Sequence, residues 1–184
     1  MSTLSSIPLT TLSGSPATLA DYSGKVLLIV NVASRCGLTP QYTALEQLYQ
    51  QFKDKGLVVL GFPANDFAAQ EPGTDQEIAK FCSIDYPVTF PLFTKISVKG
   101  PGIHPLYKEL TTVAPTHLIN DAGFRGGITA YLKSQDLPEP DAPPAVLWNF
   151  EKFLVKDGKV LARFAPDTPP DDPKIIAAVE QALA

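Results

Sequence analysis

The chain has 184 residues, a formal net charge of −4 at pH 7 and 45% hydrophobic residues. These values are typical of a soluble globular protein, and we expect one domain over residues 1–184. The acidic pI of about 5.1 argues against nucleic acid or an anionic membrane as a partner. No apolar segment reaches the roughly 20 residues that span a bilayer.

The N-terminus lacks a basic region followed by a continuous apolar run, so we expect no signal peptide. With two cysteines in the chain, we expect a cytoplasmic, reducing location in which a disulfide is transient and catalytic. Two histidines and widely separated cysteines argue against a metal site.

The first elements lead to a central strand. Turn residues within Leu12–Pro16 predict a hairpin or loosely paired segment across Ser5–Ala20. The continuous apolar run Val26–Val32 predicts a buried strand. A helix is predicted next, with Thr39 as its N-cap and Pro40 at its first position.

Cys36 lies on the turn between that strand and that helix. A free cysteine is usually buried and inert, but the neighbours here are Ser34, Arg35 and Gly37 rather than an apolar face. Open α/β sheets carry their sites at the carboxyl ends of strands, which is where this turn falls. Arg35 and the positive end of the helix favour a thiolate. Cys36 is therefore a candidate nucleophile.

The rest of the chain alternates strands and helices before it reaches a hairpin. In chain order, the next predicted elements are a strand over Leu57–Phe62, a helix opened by a capping box over Thr74–Cys82, an edge segment over Tyr86–Phe93 and a helix over Ile103–Leu110. A long excursion over Ala114–Ala145 follows, with one helix around Ile128–Lys133. Two strands over Leu147–Val155 and Val160–Phe164, joined at Asp157-Gly158, precede a final helix over Lys174–Ala184.

This order predicts an α/β protein with a thioredoxin-like fold, in which helices flank a central mixed β-sheet. An N-terminal hairpin and a long insertion before the C-terminal β-hairpin complete the prediction. The insertion, Ala114–Ala145, is either a subunit interface of a homo-oligomer or a surface lid, because long loops serve both purposes.

The sequence around Cys36 narrows the chemistry of the thiol. Thioredoxin-type exchange requires a second cysteine three residues on, but Thr39 stands there. A lone thiolate suits peroxide reduction, in which sulfur takes one oxygen and becomes a sulfenic acid. Neutral donors such as Gln, Asn and indole N–H stabilise the departing oxygen without neutralising the sulfur.

Three blocks of the sequence resemble the signatures of the glutathione peroxidase family: NVASRCGLTPQY at 31–42, FPANDFAAQEPG at 62–73 and WNFEKFLV at 148–155. The segments FPLF at 90–93 and HPLY at 104–107 add to the match, which runs from about Gly24 to the final helix. The similarity is greatest to bacterial cysteine-type members.

The resemblance implies a peroxidase whose peroxidatic residue is Cys36, with Gln70, Trp148 and Asn149 completing the catalytic set. It also aligns Cys82 with the resolving cysteine of the thioredoxin-dependent subgroup. The implied substrates are hydrogen peroxide and organic hydroperoxides, the implied reductant is thioredoxin or else glutathione, and no cofactor is implied. If the two cysteines are too far apart for a disulfide, the helix Thr74–Cys82 has to unwind during turnover.

The second block departs from the family pattern. Ala64 stands where many members have a cysteine, and Asp66-Phe67-Ala68-Ala69 replaces Gln-Phe-Gly-Gly. Asp66 would oppose a thiolate if its carboxylate lay close to Cys36. Ala68 and Ala69 restrict backbone conformations that glycine permits.

Two other classes of function compete with a peroxidase. A cysteine hydrolase would use His104 or His117 as its base, although His104 precedes Pro105 and is more typical of a capping or packing residue. A peroxide sensor would pass the disulfide to a partner protein without sustained turnover.

Overall fold

The apolar run Val26–Val32 is the central strand of the fold, and all seven of its residues are buried. It belongs to a computed structural model that describes residues 3–116 and 122–184. Over those residues the strands are β1 (Leu9–Thr10), β2 (Pro16–Ala17), β3 (Val26–Val32), β4 (Leu57–Pro63), β5 (Lys152–Lys156) and β6 (Lys159–Phe164). The α-helices there are α1 (Thr3–Ser6), α2 (Gln41–Phe52), α3 (Asp75–Ile84), α4 (Pro105–Val113), α5 (Ala122–Ser134) and α6 (Pro173–Leu183).

The main sheet has the strand order β4-β3-β5-β6. Strands β3 and β4 run parallel, with Val26 opposite Leu57, whereas β5 is antiparallel to both β3 and β6. The predicted mixed sheet is therefore confirmed. Because β3 lies between β4 and β5, the residues that follow β3 and β4 and those that precede β5 meet at one edge of the sheet.

Helices bury apolar stripes against this sheet, as helical periodicity predicts. Helix α2 packs against β4 and α6 against β3. The buried side chains of α2 are Tyr42, Leu45, Leu48 and Phe52, and those of α6 include Ile175 and Val179.

Two further paired segments lie outside the four strands of the main sheet. Strands β1 and β2 form the predicted N-terminal hairpin. The segment predicted near an edge contributes a parallel bridge between Gly61 and Leu92. A Cβ at Gly61 would lie 2.7 Å from Leu92 Cδ2, so the close approach of these two segments requires a glycine.

The predicted strand over Leu147–Val155 is wrong in its first half. Strand β5 begins only at Lys152, and residues before it form a turn in which Phe150 has a left-handed φ of 66°. The ladder with β3 ends at Lys152 opposite Val30, and the turn stays attached to β3 through Phe150 N–H, which donates to Asn31 O at 2.6 Å.

In the C-terminal half, the extent of α5 differs from the prediction, whereas the turn between β5 and β6 agrees with it. Helix α5 is longer than the helix predicted around Ile128–Lys133. Asp157 and Gly158 have φ values of 50° and 74°, which suit the predicted tight turn between β5 and β6.

Candidate active site

Cys36 lies in the turn that joins β3 to α2, with 9% of its surface exposed. Its own N–H donates to Thr39 Oγ1 at 3.0 Å, and the same hydroxyl donates to Ala33 O at 2.8 Å. Leu38 N–H lies 3.3 Å from Cys36 Sγ. A backbone donor directed at sulfur stabilises negative charge that develops there, so the turn is suited to hold a thiolate.

Thr39 does not have its predicted role as a helix cap. Helix α2 begins at Gln41 with Pro40 in the cap position, and the Thr39 hydroxyl fastens the Cys36 turn instead. The prediction was wrong because a threonine hydroxyl bonds to whichever backbone group is closest, and here the turn folds back on it.

Gln70 is held beside this turn through its backbone. Arg35 N–H donates to Gln70 O at 3.0 Å, and Arg35 is the residue next to Cys36. The Gln70 side chain accepts a hydrogen bond at 2.9 Å from Asn149 Nδ2 to Gln70 Oε1. This bond uses the Gln70 side-chain oxygen and leaves the two N–H donors of its amide for other partners.

Trp148 and Asn149 occupy the turn that precedes β5. Asn149 is fully buried, and Trp148 is 4% exposed. The Trp148 ring packs against Phe67 and Tyr131, with centroid distances of 5.3 and 6.2 Å. Phe67 comes from the same loop as Gln70, so these contacts place Trp148 next to the loop that carries Gln70.

Asn31 is a site residue that the sequence analysis missed. Its Nδ2 donates to Trp148 O at 3.1 Å, and its backbone oxygen accepts from Phe150 N at 2.6 Å. Both bonds fix the turn that presents Asn149. The available signal was a polar side chain inside an otherwise apolar buried strand, since buried polar groups almost always have partners.

The Asp66 carboxylate accepts hydrogen bonds from the neighbouring segment. Its two oxygens accept hydrogen bonds from Ser97 Oγ at 2.8 Å and from Val98 N at 2.7 Å. The residue therefore fastens its loop to the neighbouring segment. The two alanines after Phe67 both have left-handed backbones, with φ values of 53° for Ala68 and 52° for Ala69.

Cys82 lies on α3 and is 2% exposed. Burial raises the pKa of its thiol to about 11; the Tyr42 hydroxyl lowers it in part, and the Glu71 carboxylate raises it further. The thiol therefore stays protonated at neutral pH. Both cysteines are free thiols in this structure.

Tyr42 packs among the rings around α3. Its ring centroid is 6.4 Å from that of Phe81, 5.9 Å from that of Tyr86 and 5.4 Å from that of Phe150. Cys82, the residue after Phe81, thus belongs to the packed face between α2 and α3. The predicted helix opened by a capping box is confirmed, with Thr74 as its N-cap.

His104 is the N-cap of α4, as the capping interpretation predicts. Its Nδ1 accepts a hydrogen bond from Leu106 N at 3.1 Å, and burial lowers the pKa of the imidazole. His104 thus uses this ring nitrogen in its own helix, which argues against a role as base for Cys36. His117, the other predicted base, lies outside the described residues.

Residues 3–116 and 122–184 hold neither a candidate metal cluster nor a helix that could span a membrane. That part of the chain contains no group of three or more His, Cys, Asp or Glu residues placed to hold a metal ion. It also contains no helix with the length and apolar character needed to cross a membrane.

The architecture is the thioredoxin-like fold. The crystal structure of Trgpx in its apo form superimposes with a TM-score of 0.69 at 35% identity, covering 100% of this chain and 97% of that chain. A thiol:disulfide interchange protein of the thioredoxin family from Chlorobium tepidum matches at a TM-score of 0.61, with 13% identity and coverage of 97% and 93%. The second likeness concerns the fold alone.

Within that fold, the chain belongs to the glutathione peroxidase family, whose model matches residues 4–111. It is 48% identical over 175 residues to the thioredoxin/glutathione peroxidase BtuE of Escherichia coli strain K12, covering 94% of this chain and 93% of that protein. It is also 48% identical over 173 residues to the hydroperoxy fatty acid reductase gpx1 of Synechocystis, with coverage of 94% and 90%. The family predicted from the three sequence blocks is confirmed.

Proposed function

We propose that this peroxidase reduces hydrogen peroxide and organic hydroperoxides at Cys36. The observation that carries the proposal is the hydrogen-bonded chain from Asn149 to Gln70 and from Gln70 to the backbone of Arg35. It holds neutral amide donors next to the cysteine turn. Such donors stabilise the charge that develops on a departing oxygen and leave the sulfur nucleophilic.

In the first step, the Cys36 thiolate attacks the terminal oxygen of the peroxide. An S–O bond forms as the O–O bond breaks, and the second oxygen takes a proton and leaves as water or an alcohol. Sulfur is oxidised to a sulfenic acid. Gln70, Trp148 and Asn149 act here as hydrogen-bond donors or hold the donors in place.

In the second step, the Cys82 sulfur attacks the Cys36 sulfenic acid. An S–S bond forms, the S–O bond breaks, and the oxygen leaves as water with the proton of the Cys82 thiol. Cys82 is buried on a helix, and its raised pKa disfavours the thiolate. Opening of α3 would remove both obstacles, because an exposed thiol returns to an ordinary pKa near 8.5.

Thioredoxin is the proposed reductant of the Cys36–Cys82 disulfide, and the dithiol of thioredoxin is oxidised as this bond is reduced. The similar Escherichia coli protein carries both thioredoxin and glutathione in its name, so glutathione is the competing reductant. A second internal thiol favours thioredoxin, since a small external thiol is then unnecessary. A cytoplasmic location, where thioredoxin is kept reduced, is part of the proposal.

The test is steady-state consumption of hydrogen peroxide, coupled either to thioredoxin and its reductase or to glutathione and its reductase. We expect sustained turnover with thioredoxin in the wild type and none in Cys36→Ser. Cys82→Ser should form one sulfenic acid per chain and then stop. Full thioredoxin-driven turnover by Cys82→Ser would contradict the disulfide, and a single turnover by the wild type would favour a sensor.

A second set of variants tests the amide donors. Gln70→Leu should lower the rate constant for reaction with peroxide by about a hundredfold, the loss typical of one stabilising donor. Gln47→Leu, which makes the same change on an exposed position of α2, should react like the wild type. Equal rates for the two variants would remove Gln70 from the site.

A further inference from the structure

A cavity of about 470 Å³ opens beside Trp148. Its wall combines the loop that precedes Gln70 with the end of α5 and the segment that follows α5. The apolar side chains that line it include Phe67, Leu132, Leu137, Pro138, Leu147 and Trp148. A mostly apolar cavity of this volume is in the range that binds small organic molecules.

The cavity adjoins the elements that carry the candidate active site. Trp148 lines the cavity and belongs to the predicted catalytic set, and Ala69 lines it directly before Gln70 in the chain. A molecule that occupied the cavity would therefore lie against the elements that carry the amide donors. Cys36 does not line it, so the cavity adds volume beyond the reacting atoms.

Apolar surface also remains exposed around this region. Tyr131 packs edge-on against Trp148 at a centroid distance of 6.2 Å, yet it is 40% exposed, and Leu137 is 41% exposed. The backbone of Leu137 is anchored to the end of α5, because its N–H donates to Leu132 O at 2.9 Å. Ordered apolar side chains left open to water at a cavity are a feature of ligand sites.

The described residues on the wall carry more negative than positive charge. Among the described residues that line the cavity, Lys99 is the one cation, whereas Asp66, Glu139 and Asp141 are acidic. Lys99 Nζ is already 3.6 Å from Asp141 Oδ2 and lies over the Phe67 ring. Glu139 and the Asp66 carboxylate therefore leave an excess of negative charge beside the apolar surface.

We propose that this cavity binds the organic moiety of a hydroperoxide and that it prefers an uncharged moiety over one bearing a carboxylate. The inference rests on the proposed function, because it places the peroxide group of that molecule at Cys36. Hydrogen peroxide is too small to use the cavity, so the cavity affects organic substrates alone. The end of α5 and residues 137–141 then belong to the substrate site.

The first test changes the wall. Leu137→Glu should lower the ratio of kcat/KM for cumene hydroperoxide to kcat/KM for hydrogen peroxide by about tenfold, since one lost apolar contact changes selectivity by this order. Leu137 is partly exposed, so the substitution is compatible with folding. Leu161→Glu places the same change on β6 at a leucine that is 50% exposed and should leave the ratio unchanged.

The second test compares two substrates that differ in charge. The wild type should reduce the methyl ester of a fatty acid hydroperoxide with a kcat/KM several-fold above that of the free acid at pH 8, below the critical micelle concentration of both. Glu139→Lys should reverse or abolish this preference. Salt screens the interaction between the wall charges and the carboxylate of the ligand. The preference of the wild type for the ester should therefore weaken at high salt.

Several outcomes would overturn the inference. One is an unchanged ratio of kcat/KM values in Leu137→Glu, and another is a preference of the wild type for the free acid. A third is a change in the sedimentation of Leu137→Glu without a change in that ratio. This third result would make the cavity a contact between two copies of the chain. Failure of the proposed function would give a different result: Cys36→Ser would consume hydrogen peroxide as fast as the wild type.

Discussion

Two consecutive alanines with left-handed backbone support the loop that carries Gln70. Ala68 and Ala69 have φ values of 53° and 52°, a region that costs a residue with a Cβ about 1–2 kcal/mol. The family pattern has glycines at these positions, and glycine adopts this conformation freely. The surrounding hydrogen bonds, such as Arg35 N–H to Gln70 O, therefore hold the loop against an intrinsic preference.

We expect Ala69→Gly to increase the free energy of unfolding by about 1 kcal/mol, because it removes the left-handed penalty. Urea denaturation measures this change. Ala142→Gly is the matched control: Ala142 is an exposed loop residue that does not have a positive φ, so the same substitution should lower stability by about 0.5 kcal/mol. Destabilisation by both variants would show that the alanine loop carries no strain.

Single residues were predictable where chemistry and position agreed. Cys36 was identified from its turn and its polar neighbours, and its position between β3 and α2 is as expected. The role of Asn31 was not predicted, because the apolar majority of its strand hides the one polar side chain. Thr39 was misassigned because a capping residue and a turn residue use the same hydroxyl, and only the path of the chain decides between them.

Helix α3 buries Cys82 and would have to open for the proposed resolving step. The helix begins with a capping box in which Thr74 Oγ1 accepts from Glu77 N at 3.2 Å and Glu77 Oε2 accepts from Thr74 N at 3.3 Å. Ile78 and Cys82 are its buried residues. Because the helix has few buried side chains, its local opening costs less free energy than global unfolding.

Removal of the cap should therefore speed the resolving step. Thr74→Ala costs a helix about 1 kcal/mol, which corresponds to about a fivefold larger population of the open helix. We expect the rate of Cys36–Cys82 disulfide formation after one equivalent of peroxide to rise by a similar factor. Stopped-flow measurement of tryptophan fluorescence can follow this step, since Trp148 lies beside the site.

Asp172→Ala provides the control for this experiment. Asp172 caps α6 by accepting from Lys174 N at 2.8 Å, so its removal weakens a helix that carries neither cysteine. The variant should lower global stability without changing the rate of disulfide formation. If both variants accelerate the step, global loosening rather than α3 opening would be responsible.

Element types were largely predictable from periodicity and turn residues, but the start of β5 was not. The strand predicted from Leu147 begins at Lys152, because the apolar residues before Glu151 pack in a turn rather than in the sheet. Strand residues and buried turn residues are both apolar, so composition does not separate them.

At the scale of the whole molecule, one buried ion pair connects the long insertion to the sheet. Arg163 of β6 donates from Nε and Nη2 to Glu151 Oε2 at 2.9 and 2.6 Å. Its Nη1 and Nη2 also donate to Ala114 O at 2.7 Å and Ala145 O at 3.3 Å, the two ends of the insertion. Glu151 Oε1 accepts from Leu147 N at 3.0 Å, next to Trp148.

Arg163→Met should lower the free energy of unfolding by about 3–5 kcal/mol, because it leaves Glu151 buried without its cation. The double variant Arg163→Met with Glu151→Met should recover a large part of this loss, since both charges are then absent. Urea denaturation of the single and double variants measures the coupling. A loss below 1 kcal/mol in the single variant would mean that water replaces the arginine.

The overall order of strands and helices followed from the sequence, because hairpin and crossover rules leave few arrangements. The role of the insertion did not. Its contacts with Arg163 and with the cavity beside Trp148 join residues far apart in the chain, and no local pattern encodes such contacts. Whether the predicted interface or lid forms there stays a prediction.

The burial of Cys82 on a helix also makes the proposed cycle sensitive to temperature. Local unfolding carries a larger activation enthalpy than the attack of an exposed thiolate, and its rate falls steeply on cooling. At low temperature, Cys36 would then spend longer as a sulfenic acid before Cys82 reaches it. Because a second peroxide converts a sulfenic acid irreversibly to a sulfinic acid, the enzyme should lose more activity per turnover in the cold.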